Sequence, residues 1–205
     1  LAYAQRLAVH ARAAHPGIRP AIRSASAGEI ETGLGTGAFD IGISYLEGPP
    51  GRERAPPAAE TVVLYSESYV VLMPPGDARE GAASLSWAEA AQLPLALLTP
   101  DMRNRQIVDD AFRSAGVAAT PVFETNDLLT LFAFAAEAGV ATIAPGMAVD
   151  ARRLGPDLVA LPLTDPEIRR TIAALLPDTG FQPPAVGAML RIARETGGPE
   201  LPGRS

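Results

Sequence analysis

Few residues in this 205-residue chain have side chains that could make or break a bond. Both histidines, His10 and His15, fall within the first fifteen residues, on or at the end of a stretch with helical spacing. No later imidazole could act as a general base, so a Ser-His-Asp arrangement would have to borrow one of these two. There is no cysteine, which removes thiolate nucleophiles, disulfides and cysteine metal ligands. Asp109 and Asp110 are neighbours on a helix, so their carboxylates diverge rather than converge on a metal. Gly33-Leu34-Gly35-Thr36-Gly37 resembles a dinucleotide loop in spelling. However, it closes a helix and precedes a strand, whereas a phosphate loop follows a strand and opens a helix. Gly37 reads instead as a helix C-terminal glycine. The expectation is no cofactor, no metal and no catalytic group.

What remains is chemistry of binding. Ser26 opens one helix, the stretch from Thr99 to Asn104 a second, and Asn126-Asp127 a third, each just after a predicted strand. The first turn of a helix offers free backbone N–H groups and the positive end of its dipole, which together favour an anion. In open α/β sheets, ligands sit beyond the carboxyl ends of strands, where such turns converge.

The elements that must position these turns alternate along the chain. Leu1, Ala4, Leu7, Ala8 and Ala11 predict a helix over residues 1–15, stopped by His15-Pro16-Gly17. Ile18 to Arg23 alternates as a strand does. Ser26-Ala27-Gly28-Glu29 is an N-cap with an acidic third residue, opening a helix through Ile30 and Leu34. Phe39 to Ile43 reads as a short buried strand, residues 47–57 as a Pro/Gly/Arg loop, and Thr61–Leu64 and Tyr69–Met73 as two strands. A second block follows. Trp87–Gln92 is a short helix behind Ser84 or Ser86, Leu95–Leu98 a buried strand, Arg103–Ala115 a helix ended by Gly116, and Pro121–Glu124 a strand. Asp127–Ala138 is an apolar helix ended by Gly139, and Val140–Ala144 a strand. Strands at Val159–Leu163 and Ile168–Leu176 and a helix at Ala185–Thr196 close the chain. This alternation predicts an α/β fold with mixed, mostly parallel sheets.

Composition narrows the function. The apolar content of 47% is enough for a sizeable core in one or two lobes, and no apolar run is long enough to span a membrane. All 17 basic residues are arginine, which with the abundant Ala, Gly and Pro points to a GC-rich bacterial genome. The net charge of −6 argues against a nucleic-acid surface on this chain.

Residues 15–46, HPGIRPAIRSASAGEIETGLGTGAFDIGISYL, resemble the effector domain of LysR-type transcription regulators. The matching residues are His15-Pro16, Ser26, Glu29, Leu34, Gly37, Asp40 and Ile43. The stretch LLTPDMRNRQIVDDAFRSAG, with Arg105 and Gly116, and FETNDLLTLFAFAAEAGVATIAPG continue the likeness over nearly the whole chain. The resemblance implies a two-lobed periplasmic-binding-protein-like (type 2) fold. Residues 1–75 and 166–205 would form lobe I and residues 76–165 lobe II, with hinges near Pro74-Pro75-Gly76 and Pro162–Pro166. It also implies a small-molecule effector held by Ser26, Thr99, Met102, Asn126 and Asp127. Ser26 and Thr99 would donate hydroxyl hydrogen bonds, and Met102 would give an adaptable apolar wall.

In the family pattern the protein is a cytoplasmic homodimer or homotetramer that binds DNA through an N-terminal winged helix-turn-helix, which is absent from this sequence. Residues 1–15 would pack against a partner's Arg103–Ala115 helix. Two departures stand out. The family's domain opens with one more strand ahead of this first helix, and the expectation is that the full protein contains it. Asp127 also stands where the family usually has serine, placing negative charge near the pocket. A small carboxylate is the first choice of effector, and a neutral or amine-bearing metabolite the second. Two other classes stay open. A periplasmic substrate-binding component of a transporter would need a leader or lipid-anchor cysteine. An enzyme on this scaffold would need Asp101, Asp127 or Glu124 as its base.

Overall fold

Tyr3, Leu7 and Ala11 recur at helical spacing, and all three are buried along one face of helix α1 (Ala2–Ala14). A computed structural model of the chain describes residues 2–46, 59–77, 79–149, 158–177 and 182–196. The predicted loop at 47–57 lies outside them. The chain divides into two compact units, Leu1–Glu67 with Arg170–Ser205, and Ser68–Arg169. The crossings thus fall at Glu67–Ser68 and Arg169–Arg170, where the sequence had suggested points near 75 and 166.

In the first unit, α1 stops where the His15 N–H reaches back to the Ala11 carbonyl, just ahead of Pro16-Gly17. Residues 18–26 form no strand, contrary to the alternation at Ile18–Arg23, and Ile22 is exposed. A strand exists through its ladder, and no strand pairs with this segment among the described residues. Helix α2 (Ala27–Gly35) is followed by strand β1 (Gly42–Tyr45), which pairs antiparallel with β8 (Arg169–Pro177), Gly42 opposite Leu175. Leu34, Leu46, Ala173 and Leu175 form one core cluster with Ile30 and Phe39 against it. The closing helix α6 (Pro184–Thr196) packs on α1, and the Tyr3 hydroxyl donates to the Ala193 carbonyl at 3.1 Å.

Strand β2 (Ala59–Met73) is one continuous strand of 15 residues, not the two short ones the sequence suggested. Glu67 is buried within the strand, and its carboxylate accepts from the Tyr65 hydroxyl at 3.4 Å.

In the second unit, the end of β2 pairs antiparallel with β6 (Ala141–Pro145) and β7 (Val159–Thr164). Parallel pairing is concentrated around β4 (Leu95–Leu98), which lies between β6 and β5 (Phe123–Thr125), and β3 (Leu85–Ser86) runs parallel to β7. The fold is a mixed α/β one. Helix α3 (Trp87–Ala90) is capped by Ser86, and α4 (Arg103–Ser114) and α5 (Leu128–Ala138) follow β4 and β5. Trp87 is fully buried against the edge of Phe112, and its indole N–H donates to the Pro166 carbonyl at 2.9 Å. α5 ends at Gly139, whose left-handed backbone (φ 65°) suits glycine.

Candidate functional site

The carboxyl ends of β4 and β5 lie side by side, because parallel strands with helical crossovers point the same way. Leu98 is opposite Thr125, and the Thr99 N–H extends the pairing by donating to the Thr125 carbonyl at 2.9 Å. Two turns therefore leave the sheet from one place: Thr99 to Met102, which enters α4, and Asn126-Asp127, which enters α5. Of the five residues proposed from the sequence, Thr99, Met102, Asn126 and Asp127 are brought together here. Ser26 belongs to the first unit and opens α2 there.

The two helix starts differ in chemistry. Asp127 caps α5, its carboxylate accepting from the Thr130 N–H at 2.7 Å. That backbone hydrogen bond, foremost, holds the carboxyl below the usual aspartate range. The positive end of α5 thus already has its anion. α4 has none. Its N-cap is Met102, which makes no side-chain cap bond, and no acidic residue stands in its first turn. Next to it the Thr99 hydroxyl oxygen is buried and has no hydrogen-bond partner. A helix start without a side-chain cap, beside an unused hydroxyl, can accept an anionic or hydrogen-bond-accepting group. Met102 is half-buried and packs against the cluster of Ala96, Leu98 and Leu131. Asn126 is exposed.

Ser26 forms the capping box expected from its spacing. Its hydroxyl accepts from the Glu29 N–H at 3.3 Å, and its own N–H donates to the Glu29 carboxylate at 2.7 Å. The hydroxyl proton is not used by the cap.

Sequence reasoning missed how the two turns in the second unit are tied together. Arg105 is nearly buried. Its Nη1 donates to the Leu98 carbonyl at 2.6 Å and to the Glu124 carboxylate, and its Nε donates to Asp109 at 2.8 Å. A signal was present: Arg105 lies on the same helical stripe as Val108 and Phe112, both buried, and a charge on a core stripe requires a partner. Among the described residues no group of three or more His, Asp or Glu is placed to hold a metal, and no helix is long and apolar enough to cross a membrane.

Comparison with known proteins agrees with this architecture. A family model described as the LysR substrate binding domain matches residues 3–198. No curated protein matches the chain by sequence. Among solved structures, the reduced form of the OxyR regulatory domain from Pseudomonas aeruginosa is similar with a TM-score of 0.78 and 22% identity, over 95% of this chain and 91% of that one. CbnR, a LysR family transcriptional regulator, has a TM-score of 0.73 and 16% identity over 95% of this chain and 65% of its own. HinK, a LysR family regulator from Pseudomonas aeruginosa, has a TM-score of 0.74 and 20% identity over 93% of this chain and 65% of its own. The fold is the two-lobed, type 2 periplasmic-binding-protein-like fold of these regulatory domains, and the chain spans less than two thirds of CbnR and of HinK.

Proposed function

The chain belongs to the LysR substrate binding domain family, and from that premise we propose that it is the effector-sensing and oligomerising part of a bacterial transcription regulator. DNA would be bound by a winged helix-turn-helix outside this sequence, in the cytoplasm. The chain would act by binding and not by catalysis. Two copies would associate with α1 of one against α4 of the other, as a dimer or as a pair of dimers.

The effector would sit on Thr99, Met102, Asn126 and Asp127, where α4 and α5 begin. The observation that carries this reading is the start of α4, which has neither side-chain cap nor acidic residue and stands beside the buried, unpartnered Thr99 hydroxyl. These features favour an acceptor-rich head group, and a small carboxylate fits them first. The Asp127 carboxylate nearby is already bound to the α5 N-terminus, which lessens its repulsion of such a group. A neutral or amine-bearing metabolite is the second choice, and Asp127 is what would favour it.

Thermal-shift screening of small carboxylates and polar metabolites tests the site. Stabilisation by a hit should fall in Thr99→Val; an undiminished shift in that variant would overturn it.

A further inference from the structure

One guanidinium touches the ends of two strands and its own helix. The Arg105 Nε donates to Asp109 one turn on, at 2.8 Å, which fixes the plane of the guanidinium relative to α4. Nη1 is then shared between the Leu98 carbonyl, at 2.6 Å, and the Glu124 carboxylate. Leu98 is the last residue before Thr99, and Glu124 stands two residues before Asn126. The arginine side chain is 10% exposed, whereas the two carboxylates are 41% and 38% exposed. The buried member of this group is therefore the donor, and water competes with it least. We propose that Arg105 is a positioning residue. It sets the spacing between the Thr99–Met102 turn and the Asn126–Asp127 turn, so that the two move as one body. Its meaning for ligand binding rests on the effector site proposed above.

Distant parts of a chain are held in register either by packing or by directed bonds. Here the directed bonds come from a planar fork whose donors diverge at fixed angles. Lysine keeps the charge but gathers its donors on one nitrogen, so it cannot hold Asp109 on one side while bridging Leu98 and Glu124 on the other. The amides that report on the two turns are bonded within them: Thr99 N–H to Thr125, Met102 N–H to Thr99, and Thr130 N–H to Asp127.

Amide hydrogen exchange on the whole chain without ligand tests this. In Arg105→Lys, exchange at Thr99, Met102 and Thr130 should rise together by roughly tenfold, while Thr142 and Ile143 in β6 keep wild-type protection. A rise confined to α4, or one spread equally over β6, would overturn the proposal. Glu124→Gln, at a half-exposed site that tolerates change, should speed exchange at Thr130 and leave Thr99 near wild type; no change at Thr130 also counts against it. Because no ligand is present, this outcome is independent of whether Thr99→Val alters any effector response.

Discussion

Gly33 lies so close to Phe39 that a Cβ built on it would stand 2.2 Å from the ring. The Phe39 N–H also donates to the Gly33 carbonyl at 3.0 Å, so helix and following chain are clamped at this point. Gly33→Ala should therefore destabilise the protein by about 1–3 kcal/mol, the usual cost of overpacking. Gly35 has open space around its Cβ position, and Gly35→Ala should be neutral or stabilising by up to about 1 kcal/mol. Urea denaturation of both variants decides the matter; equal effects would show that the clamp is unimportant.

Glu67 is 4% exposed, and burial pushes its carboxyl up to about 7 from an ordinary 4.5. The folded state thus holds this proton more tightly than the unfolded state does. Its contribution to stability is greatest below pH 4.5, declines as pH rises towards about 7, and is constant above that. Glu67→Gln should match wild type near pH 4.5 and exceed it at pH 8 by up to about 3 kcal/mol. Melting curves at both pH values check this, and a variant no more stable at pH 8 would refute it.

Asp127→Ala removes the α5 cap and should cost about 1 kcal/mol of stability, whereas Asp127→Asn should retain most of it. Its lowered pKa means that the cap is present above the ordinary aspartate range and is lost as pH falls through the folded value. The Ala variant should consequently lose less on acidification than wild type. Any anionic effector should bind Asp127→Asn more tightly, as read by titration calorimetry.

Thr142 is completely buried in β6, between Leu72 and Ala96, and its hydroxyl has no partner. Thr142→Val should raise stability by about 1 kcal/mol, since an unpaired hydroxyl is exchanged for a methyl of similar shape. A loss of stability on chemical denaturation would refute this.

The features read correctly from sequence are local ones. The capping box at Ser26 and Glu29 and the Asp127 cap each need three or four residues, and both form as spaced. Leu95–Leu98, apolar throughout and bounded by Pro94 and Thr99, could be recognised as a buried strand. The misreadings have non-local causes. Ile18–Arg23 carries strand alternation, but pairing depends on a neighbour that local sequence does not specify. Thr61–Leu64 and Tyr69–Met73 read as separate strands although one strand runs through both, because nothing near Glu67 announces that a carboxyl is buried there. Arg105 and Glu124 are 19 positions apart, and only the parallel pairing of β4 with β5 makes them partners. The candidate site was legible as a set of helix starts. Which start is left uncapped was not, because Thr99, Asp101 and Asn104 each carry a side-chain oxygen that could have served.

Trp87 is the single tryptophan of the chain and lies wholly within the second unit. Its emission is therefore a private signal of that unit, to which the first unit, with no indole, is silent. Far-UV circular dichroism sums over both. Comparing the two signals through one denaturant titration separates the unfolding of the candidate turns from that of α1 and α6, with no added label. Coincident curves would mean that the two units melt together, and separated curves would order them.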